Sequence, residues 1–113
     1  MQILLNTDHN VRGTAALGER VRADLASSLA RFEDRLTRVE VHLGDESAGR
    51  STGDDFRCLI EARPAGAEPV AVTAHAETLD GAIAEATDKL VALVAAKFGR
   101  LDSHEGRETI RRP

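Results

Sequence analysis

Basic side chains on two helix-like segments are the residues whose spacing most favours a functional surface. On a helical wheel at about 100° per residue, Arg20 and Arg31 on the first segment lie roughly 20° apart, outside the apolar stripe. Lys89 and Arg100 on the second segment also lie roughly 20° apart. Lys97 lies at the edge of the apolar face of that segment. Two such stripes on neighbouring helices could follow a phosphate backbone. The alternative is a pair of ordinary solvated faces with i,i+4 ion pairing, because Asp24 interrupts one stripe and Glu85 flanks the other. The five candidates are Arg20, Arg31, Lys89, Lys97 and Arg100.

A nucleophile and a metal site are the other chemistries that the residue types suggest. Cys58 falls in phase with Phe56 and Ile60 on the buried side of a strand-like segment, and a thiol in apolar surroundings is inert. We therefore predict a core cysteine rather than a catalytic one. His42, Glu61 and His75 could meet on one sheet face and hold a metal, but cross-strand polar pairing is commoner. We predict no metal and no cofactor.

Composition narrows the function further. The net charge is −4 and aromatic residues make up only 3%, so binding to single strands by base stacking is disfavoured. Any nucleic-acid contact must use a local basic patch. The glycines lack the lysine and setting of a phosphate-binding loop, and no apolar run approaches a membrane span. With a single cysteine and no evident signal peptide, we expect a cytoplasmic protein that does not contact membranes.

The elements that must position these side chains follow from hydrophobic periodicity. Short alternating or apolar runs predict strands over residues 1–6, 37–44, 56–63 and 70–76. Three- and four-residue apolar spacing predicts helices over residues 14–35 and 79–101. Thr78 is the predicted N-cap of the second helix, and Asp80 suits its first turn. Residues 45–55 read as an acidic loop.

This order predicts an α+β fold, a β-α-β-β-β-α two-layer sandwich. Each helix has one apolar face, so both should cover the same face of a four-stranded sheet. We predict one domain over residues 1–101 and a polar, flexible C-terminal tail over residues 102–113. The other sheet face should be solvated and carry polar side chains: Glu40, His42, Arg57, Glu61, Arg63, Thr73 and His75.

Several segments, in this order and spacing, resemble the ribosome hibernation-promoting factor and ribosome-associated inhibitor family, also called sigma-54 modulation proteins. They comprise Val39–Leu43, Asp54–Pro64, Pro69–Thr73, Ala76–Leu79 and Asp88–Leu90. The resemblance covers about the first hundred residues and is nearest to short, single-domain proteobacterial members.

The resemblance implies a fold similar to double-stranded-RNA-binding domains and a function without catalysis. It implies binding to small-subunit rRNA, inhibition of translation under stress or in stationary phase, and no small-molecule substrate. Lys89 matches a family lysine directly, whereas Arg20, Arg31, Lys97 and Arg100 match the family's basic helix faces approximately. Asp24, Ser27, Ala92 and Ala96 depart from those faces. We expect a monomer. The rival hypothesis is a protein-interaction or stress module on the same fold that has lost RNA affinity.

Overall fold

The computed structural model describes residues 1–8, 11–46 and 56–111, with side chains described as far as residue 103. Of the predicted loop over residues 45–55, Asp45 is the last residue of the second strand, and residues 47–55 lie outside this part of the chain. A 3₁₀ helix, Ala30–Arg35, follows the first α-helix. The element order agrees with the predicted one: β1 (Gln2–Thr7), α1 (Ala15–Ser28), β2 (Leu36–Asp45), β3 (Phe56–Pro64), β4 (Val70–Ala76) and α2 (Leu79–Arg111).

The four strands form one sheet in the order β1-β2-β3-β4. β1 runs parallel to β2, and the other two pairings are antiparallel. The register aligns the alternating apolar residues across the strands, since Val41 lies opposite both Leu5 and Ile60. Because side chains alternate between faces, this alignment gives the sheet one apolar face.

Both helices cover that apolar face, as predicted. Val21 and Leu25 of α1, Leu90 and Val94 of α2, and Val39 of the sheet belong to a single buried cluster. The fold is therefore an α+β two-layer sandwich. In the part of the chain that the structure describes, no helix has the length and apolarity needed to cross a membrane.

A threonine is the N-cap residue of each α-helix. The Thr14 hydroxyl accepts a hydrogen bond from the Leu17 amide at 3.1 Å. The Thr78 hydroxyl accepts one from the Gly81 amide at 3.0 Å, which confirms the predicted cap. These bonds satisfy amides that have no partner within the helix.

The ends of both predicted helices were wrong. The first α-helix ends at Ser28, and the chain tightens into the 3₁₀ helix, a common ending that buries Phe32. The second helix continues to Arg111, whereas the sequence predicted its end at Leu101. Residues 102–111 contain no proline, and adding residues to an existing helix costs far less than starting one. The domain boundary at residue 101 and the flexibility of the tail over residues 102–113 stay predictions.

Candidate functional site

The predicted basic residues lie on α1, the 3₁₀ helix and α2. α1 buries Leu17, Val21 and Leu25 in the core, so the side chains between them point outwards or sideways. Arg20 lies on the side that faces α2 and pairs with Asp80 in the first turn of that helix. Both side chains are more than half exposed, so the pair is worth at most about 1 kcal/mol. Arg20 therefore already has an anionic partner within the protein.

Lys89 does not lie on the side of α2 that faces α1. It lies beside the edge strand β4. Its Nζ donates a hydrogen bond to the carbonyl oxygen of Thr73 at 3.1 Å. The same Nζ is 3.6 Å from a carboxylate oxygen of Glu85, one turn earlier. Because β4 is an edge strand of the described sheet, the lysine supplies a donor to a backbone carbonyl at that edge.

Arg22 has the corresponding position at the opposite edge of the sheet. Its Nε lies 3.4 Å from the carbonyl oxygen of Ile3 in β1, a long hydrogen bond. Each edge strand thus has a cation from the helix layer next to a backbone carbonyl. Lys89 and Arg22 have a structural role in the isolated protein, whatever else they bind.

Three predicted cations have no ion-pair partner within the described residues. Arg100 and Arg31 are exposed, and Lys97 is half-buried. The Arg31 guanidinium lies 4.5 Å from the centroid of the Phe32 ring, a cation–π distance that leaves its donors facing solvent. These three residues lie on the 3₁₀ helix and the C-terminal half of α2, away from the Arg20–Asp80 pair.

Arg35 lies with these residues near the C-terminal half of α2, and sequence reasoning missed it. Its guanidinium stacks 3.9 Å from the Phe98 ring centroid and makes two hydrogen bonds to Asp102, at 3.0 and 3.1 Å. Phe98 in turn packs on Phe32, with ring centroids 5.5 Å apart. The only available signal was the presence of both phenylalanines in the two apolar stripes. Their contact brings the 3₁₀ helix against the C-terminal half of α2.

A groove of about 500 Å³ separates α1 from the N-terminal part of α2. Its walls carry Arg20 and Asp24 from α1, and Asp80 and Asp88 from α2. Since Arg20 pairs with Asp80, the groove retains a net negative charge. The two helices therefore present an acidic groove near the start of α2 and free cations near its C-terminal half.

On the polar sheet face, the described side chains form separate local pairs rather than one site. His42 lies 3.2 Å from Glu40, Glu61 lies 3.0 Å from Arg63, and His75 lies 3.1 Å from a carboxylate of Glu46. His42, Glu61 and His75 thus each have a different partner. Within the residues that the structure describes, no group of three or more His, Cys, Asp or Glu side chains could hold a metal ion.

Cys58 lies in the core, as its phase predicted. Its side chain is fully buried between the sheet and the helices. Burial raises the pKa of the Cys58 thiol from 9.0 to about 12, an effect that the neighbouring Arg57 charge opposes only in part. A thiol with so high a pKa supplies no nucleophile at neutral pH.

Comparison with known proteins agrees with this fold. The N-terminal domain of Thermus thermophilus Protein Y superposes with a TM-score of 0.66 at 28% identity, covering 83% of this chain and 96% of that domain. A ribosomal subunit interface protein from Coxiella burnetii superposes with a TM-score of 0.64, covering 88% of this chain and 99% of its own. At 13% identity, that second similarity concerns the fold alone.

Among curated proteins, the comparison finds no match to this chain. The profile of one family, described as sigma 54 modulation protein / S30EA ribosomal protein, matches residues 6–104. That range includes all five predicted basic residues and all four strands at least in part. The chain therefore belongs to the sigma-54 modulation protein / S30EA ribosomal protein family, whose members are ribosome-associated hibernation factors.

Proposed function

We propose that this chain binds the small ribosomal subunit through rRNA and inhibits translation as a hibernation factor under stress or in stationary phase. The observation that carries the proposal is the family profile across residues 6–104, a range that contains every proposed contact residue. The similarity to the Protein Y domain supports it. The role is binding without catalysis, cofactor or small-molecule substrate. The protein acts in the cytoplasm, where the ribosomes are, as a monomer.

The rRNA contacts are Arg20, Arg31, Lys89, Lys97 and Arg100, and they do not contribute equally. Phosphate oxygens compete with any carboxylate or carbonyl that already holds a cation. Arg20 must give up Asp80, and Lys89 must give up the Thr73 carbonyl, before either can bind a phosphate. Arg31, Lys97 and Arg100, the partner-free cations, carry no such cost. The 3₁₀ helix and the C-terminal half of α2 therefore make the stronger contacts.

Cosedimentation with purified small subunits at two salt concentrations tests the proposal. Phosphate contacts lose affinity steeply as salt rises, so the parent protein should bind at low salt and dissociate at high salt. Lys89→Glu together with Arg100→Glu should weaken binding and leave the circular dichroism spectrum unchanged, because both side chains are exposed and the bond lost, from Lys89 to the Thr73 carbonyl, lies at the surface. Glu61→Ala is the control for a charge change on the opposite sheet face, away from the helices. A folded parent that does not bind at low salt would refute the proposal.

A protein-interaction module that has lost RNA affinity is the second candidate. The observation that favours it is the charge of the interhelical groove, where Asp24 falls on a face that is basic in the family the sequence resembles. The net charge of −4 acts in the same direction. A parent that fails to bind small subunits, while still binding another protein in the groove, would favour this candidate.

A further inference from the structure

The groove between α1 and α2 shares one residue, Arg20, with the proposed rRNA contacts, but its concave shape has no part in that role. Its volume of about 500 Å³ is within the range of small-ligand clefts, roughly 300–1,000 Å³, and too small for a duplex. Helices supply both walls, so the groove has a defined form. Ser27 and Ser28 of α1 close one end of the lining.

Two of the three aspartates that line the groove are unpaired within the described part of the chain. Neither Asp24 on one wall nor Asp88 on the other has an ion pair or hydrogen bond to another described residue. The cation that lines the groove, Arg20, already pairs with Asp80. Two walls that present free carboxylates repel phosphate and attract ammonium or guanidinium groups.

The lining between the carboxylates is apolar. Ile83 and Val21 lie at the base, and Ala84 leaves the opening unobstructed because its side chain is only a methyl group. The Thr87 hydroxyl donates to the Ile83 carbonyl oxygen at 2.8 Å, so it needs no further acceptor. An apolar base beneath an acidic rim matches lysine and arginine side chains, which have aliphatic stems and charged ends.

We propose that this groove binds a segment of a partner protein that carries lysine and arginine side chains. The aliphatic stems lie against Ile83 and Ala84, and the charged ends bind Asp24 and Asp88. Charge complementarity selects this occupant over RNA, whose phosphates the groove repels. The inference does not depend on rRNA binding, because the groove and the partner-free cations occupy different parts of the helix layer.

The probe is a short synthetic peptide of alternating arginine and alanine, with a fluorescent label, titrated with the full chain and followed by anisotropy. The double variant Asp24→Asn/Asp88→Asn keeps side-chain shape and removes both charges. The matched control, Glu19→Gln/Asp34→Asn, removes two exposed charges outside the groove. We expect the groove variant to lose affinity about tenfold, the equivalent of one charge-assisted hydrogen bond, and the control to retain the parent's affinity. Amide chemical-shift changes should map to residues lining the groove.

Other results would overturn the proposal. Equal losses in both double variants would mean that the peptide senses only overall charge. Absence of peptide binding by the folded parent would mean that the groove does not select cations. Concentration-dependent dimerisation lost in the groove variant would mean that a second copy fills the groove. An RNA oligonucleotide that protects Asp24 and Asp88 would assign the groove to nucleic acid. None of these assays requires ribosome binding, so failure of the hibernation role would be seen separately.

Discussion

If internal pairing determines which cations bind rRNA, two charge-matched double variants should behave differently. The first, Arg31→Gln/Arg100→Gln, removes two exposed cations that have no ion-pair partner among the described residues. The second, Arg20→Gln/Lys89→Gln, removes two that the protein already holds through Asp80 and the carbonyl group of β4. Both variants change the net charge by the same amount, so overall attraction to the ribosome changes equally.

The magnitude follows from counterion release. Each phosphate contact contributes roughly 0.7–0.9 to the slope of log affinity against log salt, so the loss of two contacts lowers the slope by about 1.4–1.8. At about 0.15 M salt, this corresponds to roughly 20-fold weaker binding. The paired cations must break existing interactions, so their removal should cost less, about fivefold or below, the equivalent of one contact.

Cosedimentation of each folded variant with small subunits across a salt series gives both the affinity and the slope. The loss of the Arg31–Phe32 contact costs only about 0.5–1 kcal/mol of stability, so urea melts can verify that the first variant stays folded. Equal losses in the two variants would refute the idea that internal pairing ranks the contacts. A larger loss in Arg20→Gln/Lys89→Gln would reverse the ranking of the contacts. The main contact would then lie near the start of α2.

The fold was predictable because its signals are local and repeated. Val39, Val41 and Leu43 alternate with polar residues, and this period alone identifies a strand with one buried face. Thr78 is a favourable cap residue immediately before an apolar helical stripe, and its hydroxyl makes the predicted bond. Such signals need no knowledge of neighbouring elements.

The grouping of the basic residues was less predictable because it depends on what lies beside each helix. A helical wheel gives the direction of Lys89 but not its neighbour, which is β4 rather than α1. Arg35 and Asp102 are 67 residues apart, and only tertiary packing brings them together. Sequence reasoning therefore identified the helix layer as the candidate surface and could not divide it into acidic and basic parts.

The remaining predictions concern the core and the sheet face. Leu90→Ala should cost about 2–5 kcal/mol in urea melts, because Leu90 is fully buried at the centre of the cluster, and a loss under about 1 kcal/mol would contradict that position. His42 and His75 have different carboxylate partners, so the purified, untagged protein should contain no stoichiometric zinc by elemental analysis, and zinc lost on His42→Ala would be contrary. Cys58 should give stability a pH dependence. Its folded pKa of about 12 exceeds the unfolded value of 9.0, so its contribution is fully present below pH 9 and declines as the pH rises towards 12. In that interval the unfolded chain releases the thiol proton and the folded chain keeps it, so the free energy of unfolding falls by up to about 1.4 kcal/mol per pH unit. Urea melts of the parent and Cys58→Ala from pH 8 to pH 10 isolate this effect, because both proteins share every other titrating group. Parallel pH profiles would show that the folded protein ionises the thiol as readily as the unfolded chain does, and that Cys58 is more accessible than its burial indicates.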